Sequence, residues 1–417
     1  VLTAALLCAA PASAQDAVTL TYYIDDNPTN VATAEGLKAA FEAENPGITI
    51  ELETHPGGSE GDNLVKTRLA TGDMPDLFRY NAGSLFRALN PPQNMLDLTN
   101  EPFMANIIDS FDPVVSVDGK IYGVPEEAAM GGGVLYNKKI YADLGLSVPK
   151  SWAEFMANNE KIKAAGKAPV IQTFGETWTS QLFVLADYYN VQAAVPDFAE
   201  KYTNNQAKYA TTPAALKGFE RQEEVFKAGY LNEDFAAATF ADGIRMVATG
   251  EGAHYPMLTF AIGAIAQDYP DNLQDVGFFA MPGDDAATNG LTVWMPAALY
   301  IAKTTEHPEE AKRFVAFVAS TKGCDVRSAA NGATGPYLIK GCTLPATVPP
   351  AVADLLPYFQ KDGATAPALE FLSPIKGPAL EQITVEVGSG IRSAAEGAAL
   401  YDEDVKKQAQ QLGLPGW

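Results

Sequence analysis

The side chains with chemistry to offer stand at the ends of apolar runs. Asp25, Asp26 and Asn27 close and follow the alternating run VTLTYYID at 18–25. Arg79, Tyr80 and Asn81 fall in RYNAGS at 79–84, and Glu126 and Glu127 are adjacent. Glu176 and Trp178 share the segment GETWTS at 175–180. Carboxylates and amides accept from hydroxyls, and a guanidinium donates a fork of N–H groups. An indole offers a flat face to the apolar C–H side of a sugar ring. This is the equipment for holding a polyol. Paired acids also invite a hydrolytic reading, in which two carboxylates straddle a glycosidic bond at roughly 5–9 Å. Neighbours on a strand point to opposite faces, so only one of each adjacent pair can face a cleft. No Walker loop or His-rich metal motif is present, and His55, His254 and His307 are scattered. Tyr22-Tyr23 and Tyr188-Tyr189 are pairs of the kind that ferric-ion or anion binders use, but both sit in apolar patterns that favour core packing. No metal and no cofactor is expected.

Each of these groups also has a plainer role. Asp25, Asp26 and Asn27 make an ordinary surface loop if Thr29 or Asn30 caps the helix that follows. Arg79 serves structure if an acid pairs with it. Trp178, set among Gly, Thr and Ser, is poorly placed for simple core.

The elements that must position these residues are alternating strands and helices. A strand at 18–25, a helix at 31–44 stopped by Pro46-Gly47, and a strand at 48–53 make a β-α-β unit, hence a parallel sheet. A helix at 62–70 leads to a strand at 77–80. Ligands of such sheets sit beyond the carboxyl ends of strands. Further on, helices are expected at 152–165, 181–189, 212–228, 240–249 and from Pro308 to about 320. Strands are expected at 121–124, 134–136, 168–172, 253–257 and 276–281, and the region 352–416 is mostly helical.

The stretch 118–152, DGKIYGVPEEAAMGGGVLYNKKIYADLGLSVPKSW, organises the rest. Gly131, Gly132 and Gly133 between two apolar runs are either a close-packing device or a change of direction. The order Tyr122-Gly123-Val124-Pro125, Leu135-Tyr136-Asn137-Lys138 and Pro149-Lys150-Ser151-Trp152 resembles the maltose-binding-protein-like solute-binding proteins of carbohydrate ABC importers. ATGDMPDLF at 70–78, Asp97-Leu98-Thr99, VGFFAMPG at 276–283 and HPEEAKRF at 307–314 are similar to further segments of that family. Where relatives often carry a Trp under the sugar, this chain has Met257, Thr259 and Phe260.

The resemblance spans the whole mature chain. It implies an α/β, two-lobe periplasmic-binding-protein fold, each lobe a mainly parallel sheet flanked by helices, joined by a hinge of several crossovers. The expected lobes are 15–125 with 285–330, and 126–284 with 331–417. It implies a saccharide in the cleft, delivered to the membrane permease of an ABC importer by a monomer without enzymatic activity. The site expected is Asp25, Asp26, Asn27, Arg79, Tyr80, Asn81 and Glu127 on one side. Glu176, Trp178, Thr259, Trp294 and Gly335 are expected on the other side and at the hinge.

Bulk properties agree. A chain of 417 residues exceeds one core and suggests two domains. Its net charge of −22 argues against nucleic acid and anionic membranes. The opening VLTAALLCAAPASAQ reads as the end of a secretory leader, 1–14, cut after Ala12-Ser13-Ala14. Leu7 before Cys8 is not the small residue a lipidated Cys needs, so soluble export to a Gram-negative type of periplasm is expected. In such an oxidising compartment Cys324 and Cys342 pair by default, closing a loop of about 19 residues that contributes on the order of 3 kcal/mol. Two free buried thiols are the alternative.

Overall fold

The computed structural model describes residues 17–295 and 297–417. The leader read at 1–14, with Cys8, lies outside the described residues. No helix among the described residues is long and apolar enough to cross a membrane.

Two large sheets organise the chain. The first starts with Val18–Asp25, returns through helix Pro28–Glu44, and pairs with Ile48–His55 in parallel, Asp25 beside His55. Leu77–Asn81 lies parallel on the other side of Val18–Asp25. The carboxyl ends of all three strands therefore meet at one end of the sheet. Ala297–Ile301 and Gly123–Pro125 complete it as antiparallel neighbours. The first helix begins earlier than expected. Its cap is Asn27, whose side chain accepts from the Thr29 N–H at 3.1 Å, because Pro28 has the fixed φ that suits a first helical position.

The second sheet is built on Met130–Asn137, buried along its whole length. Gly252–Leu258 pairs along one edge; Leu291–Trp294 and Val276–Ala280 share the other, all antiparallel. Ala168–Val170 and Thr365–Pro367 add parallel edges. Both sheets are thus mixed rather than mainly parallel. Parallel pairing holds where a helix carries the chain back, as after Asp25. Ala297–Ile301 arrives from the second sheet without that return and runs antiparallel to Leu77–Asn81.

The three glycines lie inside the central strand and do not turn it. A Cβ on Gly132 would stand 2.2 Å from Trp294 Cζ3, and one on Gly131 2.5 Å from Leu355 Cδ1. They are a close-packing device.

The chain passes between sheets at 126–129 and again between Trp294 and Ala297. Leu291–Trp294 belongs by its hydrogen bonds to the second sheet, whereas the sequence division grouped 285–330 together. Likewise Ile108 N–H donates to the Leu338 carbonyl and Lys340 N–H to that of Asn106, so 338–340 stays beside the first sheet's connections rather than leaving at 331. Cys324 and Cys342 are joined as a disulfide, tying helix Thr321–Asn331 to that returning segment.

Candidate ligand cleft

A cavity of about 710 Å³ lies between the sheets, at the strand ends described above. Nine of the twelve expected residues line it: Asp25, Asp26, Asn27, Arg79, Tyr80, Asn81, Glu127, Glu176 and Trp178. Asp25 and Asp26 both do so, against the expectation that only one of an adjacent pair could, because the strand ends at Asp25 and its alternation does not reach Asp26.

One wall is organised by Arg79. Its Nη1 donates to Asp25, its Nη2 to Glu127 at 2.5 Å, and its Nε lies 3.6 Å from Glu126. Burial opposes the charged guanidinium, yet Glu127, Asp25 and Glu126 together outweigh that and raise its pKa. Glu126 is buried and accepts from the Tyr22 hydroxyl. Burial pushes its carboxyl up, against the opposing pull of Arg79 and Tyr22. Asp25 also accepts from Asn30 Nδ2 at 2.8 Å. The structural role weighed for Arg79 is therefore filled, and its fork is occupied by acids. Asp25 and Glu127 are thus bridged by one guanidinium. Asp26 and Asn81 are exposed, and no hydrogen bond among the described residues ties down their side chains. They are the polar groups this wall leaves untied.

The facing wall is aromatic. The Trp178 ring lies 5.4 Å from Phe240 and 6.1 Å from Phe260, and the two phenylalanines stack at 5.5 Å. Glu176 braces this group. Its Oε2 accepts from Trp178 Nε1 at 3.0 Å and its Oε1 from the Phe240 N–H at 3.0 Å, at the start of helix Phe240–Thr249. It was expected to receive ligand hydroxyls; the structure uses it to orient the indole. Across the gap, a Cβ on Gly58 would stand 3.5 Å from Trp178 Cδ1. Gly58 opens helix Gly58–Thr71, which has no side-chain cap. Residues 57–60 line the cavity, so the helix's first N–H groups are available there.

Three expected residues lie elsewhere. Thr259 is fully buried, and its Oγ1 accepts from the Gly131 N–H at 3.0 Å. Trp294 is buried over Gly132, with Nε1 donating to Glu370. A Cβ on Gly335 would sit 2.0 Å from the Ala129 carbonyl oxygen. All three hold the crossing strands in place. Conversely, Phe240, Phe260, Met130, His55 and Asp62 line the cavity without having been expected. Burial raises the Asp62 carboxyl, while Lys66 and Lys376 pull it down. Phe260 follows the end of Gly252–Leu258, so the strand-end rule could have found it. The helix holding Asp62 was expected only from 62 onward, because PGGSEG has the composition of a turn.

Residues 25–323 match the family profile described as "Bacterial extracellular solute-binding protein". The chain is similar to the multiple sugar-binding protein of Streptococcus mutans, 27% identical over 355 residues, which is 82% of this chain and 81% of that one. It is also similar to the melibiose/raffinose/stachyose-binding protein MelE of Bacillus subtilis, 24% identical over 330 residues, 75% of this chain and 73% of that one. Among solved structures, a chitin oligosaccharide binding protein superposes with a TM-score of 0.83 at 24% identity, covering 95% of this chain and all of the other. The protein RafE in complex with raffinose gives 0.78 at 23%, covering 95% and 99%. These structures share its two-sheet fold.

Proposed function

The chain belongs to the bacterial extracellular solute-binding protein family, and from that premise we propose that it captures a neutral di- or oligosaccharide for an ABC importer. It is a binding protein and not an enzyme. The observation that carries the proposal is the pairing of the two cleft walls. Trp178, Phe240 and Phe260 offer rings to the C–H faces of a sugar, while Asp26, Asn81 and the uncapped helix at Gly58 offer partners to its hydroxyls. The names of relatives, multiple sugar-binding protein and melibiose/raffinose/stachyose-binding protein, support the same ligand class.

In this proposal the first lobe is 17–125 with 297–342, and the second is 130–295 with 350–417. A ligand touching both walls binds the shut form better and so shifts the lobes towards it. The shut monomer then meets the importer's membrane permease in the periplasm, to which a leader at 1–14 would direct it. Thermal unfolding with raffinose, melibiose, maltose and N,N′-diacetylchitobiose tests the reading. A true ligand at a hundredfold excess over its Kd adds about 2.7 kcal/mol of stability. If no saccharide in a broad panel raises the melting point, the proposal fails.

A further inference from the structure

Behind the cleft, where the chain first crosses between the sheets, is a second chamber of about 50 Å³. Asn30, Glu127, Met130 and Phe260 line both spaces, so the two adjoin. The residues around the chamber carry six buried atoms with no hydrogen-bond partner among the described residues. These are Glu126 Oε2, which has only the ion-pair contact to Arg79 Nε at 3.6 Å, Glu127 Oε2, Asn331 Oδ1, Arg327 Nε, Arg327 Nη1 and Tyr337 Oη. Glu126 and Arg327 are more than nine-tenths buried. Buried polar groups are nearly always paired, so a cluster of this kind points to an occupant.

The chemistry of the six atoms selects that occupant. Two carboxylates disfavour an anion, and the Arg327 guanidinium disfavours a cation. The set mixes guanidinium N–H donors, three oxygen acceptors and a hydroxyl that can do either. A hydroxyl group, which donates and accepts, suits such a set. A water-sized occupant needs roughly 10–15 Å³ on this measure, so the chamber holds a few non-hydrogen atoms and not a pyranose ring.

We propose that this chamber is an inner subsite for a hydroxyl-bearing substituent of the bound saccharide, such as the hydroxymethyl arm of a terminal ring, entering past Met130 and Phe260. The inference rests on the saccharide reading above. It makes the crossing segment 126–128 part of the specificity of the site, since Glu126, Glu127 and Ala128 line the chamber.

Two variants and a matched pair of sugars test it. Tyr337→Phe removes one hydroxyl that has no hydrogen-bond partner among the described residues. Gly263→Ala adds a methyl whose nearest neighbours would be Asn331 Cβ at 3.4 Å, the Asn331 carbonyl oxygen at 3.5 Å and Thr334 Cγ2 at 3.5 Å, ordinary contacts, in a helix that favours Ala. Calorimetric titration of both variants and the unaltered protein uses raffinose, melibiose, N,N′-diacetylchitobiose, cellobiose and xylobiose, the last lacking the hydroxymethyl arms of cellobiose. The expected result is binding of sugars that carry the arm, weakened about tenfold by Tyr337→Phe and also weakened by Gly263→Ala. The ligand-free melting point of Gly263→Ala stays level or rises. Wild-type affinity in both variants means a chamber that holds water only, and overturns the inference while leaving saccharide binding intact. Xylobiose binding as tightly as cellobiose overturns it too. If no saccharide of the broad thermal panel binds, the saccharide reading fails and takes the inference with it; where the sugar that binds lies outside these five, it and its analogue without the hydroxymethyl arm replace cellobiose and xylobiose.

Discussion

Replacing Arg79 by Met removes the cation that three carboxylates share. In the native protein its Nη2 is 2.5 Å from Glu127 and its Nε 3.6 Å from Glu126, with Asp25 on Nη1. At an effective dielectric of 20, one ion pair near 4 Å is worth about 4 kcal/mol gross, offset in part by desolvation of the guanidinium. Breaking a buried pair by removing one partner costs about 3–5 kcal/mol, because the remaining charge stays buried. Here three acids remain, so Arg79→Met is expected to lose about 3–5 kcal/mol at pH 7. The sign with pH follows from proton counting. Without the guanidinium, the folded variant holds protons on these acids to higher pH than the unfolded chain does. Folding is then helped at low pH, and that help is lost as pH rises. The gap between native protein and variant should narrow from pH 7 to pH 5. Urea unfolding followed by circular dichroism at the two pH values measures it, and Arg79→Met with Glu127→Gln should recover part of the loss. A gap below about 1 kcal/mol at pH 7, or one that does not change with pH, refutes this account of the wall.

Trp178→Ala should weaken saccharide binding by about 2 kcal/mol, or roughly thirtyfold by calorimetry, since it removes the central ring of the aromatic wall. Gly132→Ala should destabilise by about 2–3 kcal/mol in denaturant, because its methyl meets Trp294, whose Nε1 is held by Glu370. His254 gives a pH test. Burial pushes its imidazole down from 6.5 to about 3, only partly countered by a hydrogen bond to the Pro169 backbone. The unfolded chain therefore binds the proton first as pH falls. Stability is full above about pH 6.5 and declines towards pH 3, by about 4–5 kcal/mol for this group. His254→Gln should flatten that part of the pH–stability curve.

Local pattern carried much of the architecture. The run VTLTYYID became the strand Val18–Asp25, and Phe240–Thr249 and Pro308–Val318 follow their apolar spacing. The helix expected at 152–165 is Trp152–Ala164, capped by Ser151, whose side chain accepts from the Glu154 N–H. The first wall was legible because strand ends converge in a β-α-β unit. Pattern failed where the cause of a residue lies far away in sequence. Gly131, Gly132 and Gly133 read as either a close-packing device or a change of direction until Leu355 and Trp294 are seen in the space their side chains would fill. Trp294 itself looks like a ligand platform, but its indole N–H is turned to Glu370. The start at Gly58 is hidden because glycine and serine read as loop, although the helix needs neither a good former nor a cap at that end. Phe240 was assigned to a helix, and only the fold turns it to the cleft.

The bond between Cys324 and Cys342 bears on how the protein should be made. Asn331, Thr334 and Tyr337, which border the small chamber, all lie in the 18-residue interval that this bond closes. Bacterial cytosol keeps thiols reduced. Material expressed there and purified with reductant would lack the tether, and the affinities measured on it would describe a chamber with one wall released. Export, or oxidative refolding checked by a free-thiol assay, is the preparation whose binding constants report on the secreted form.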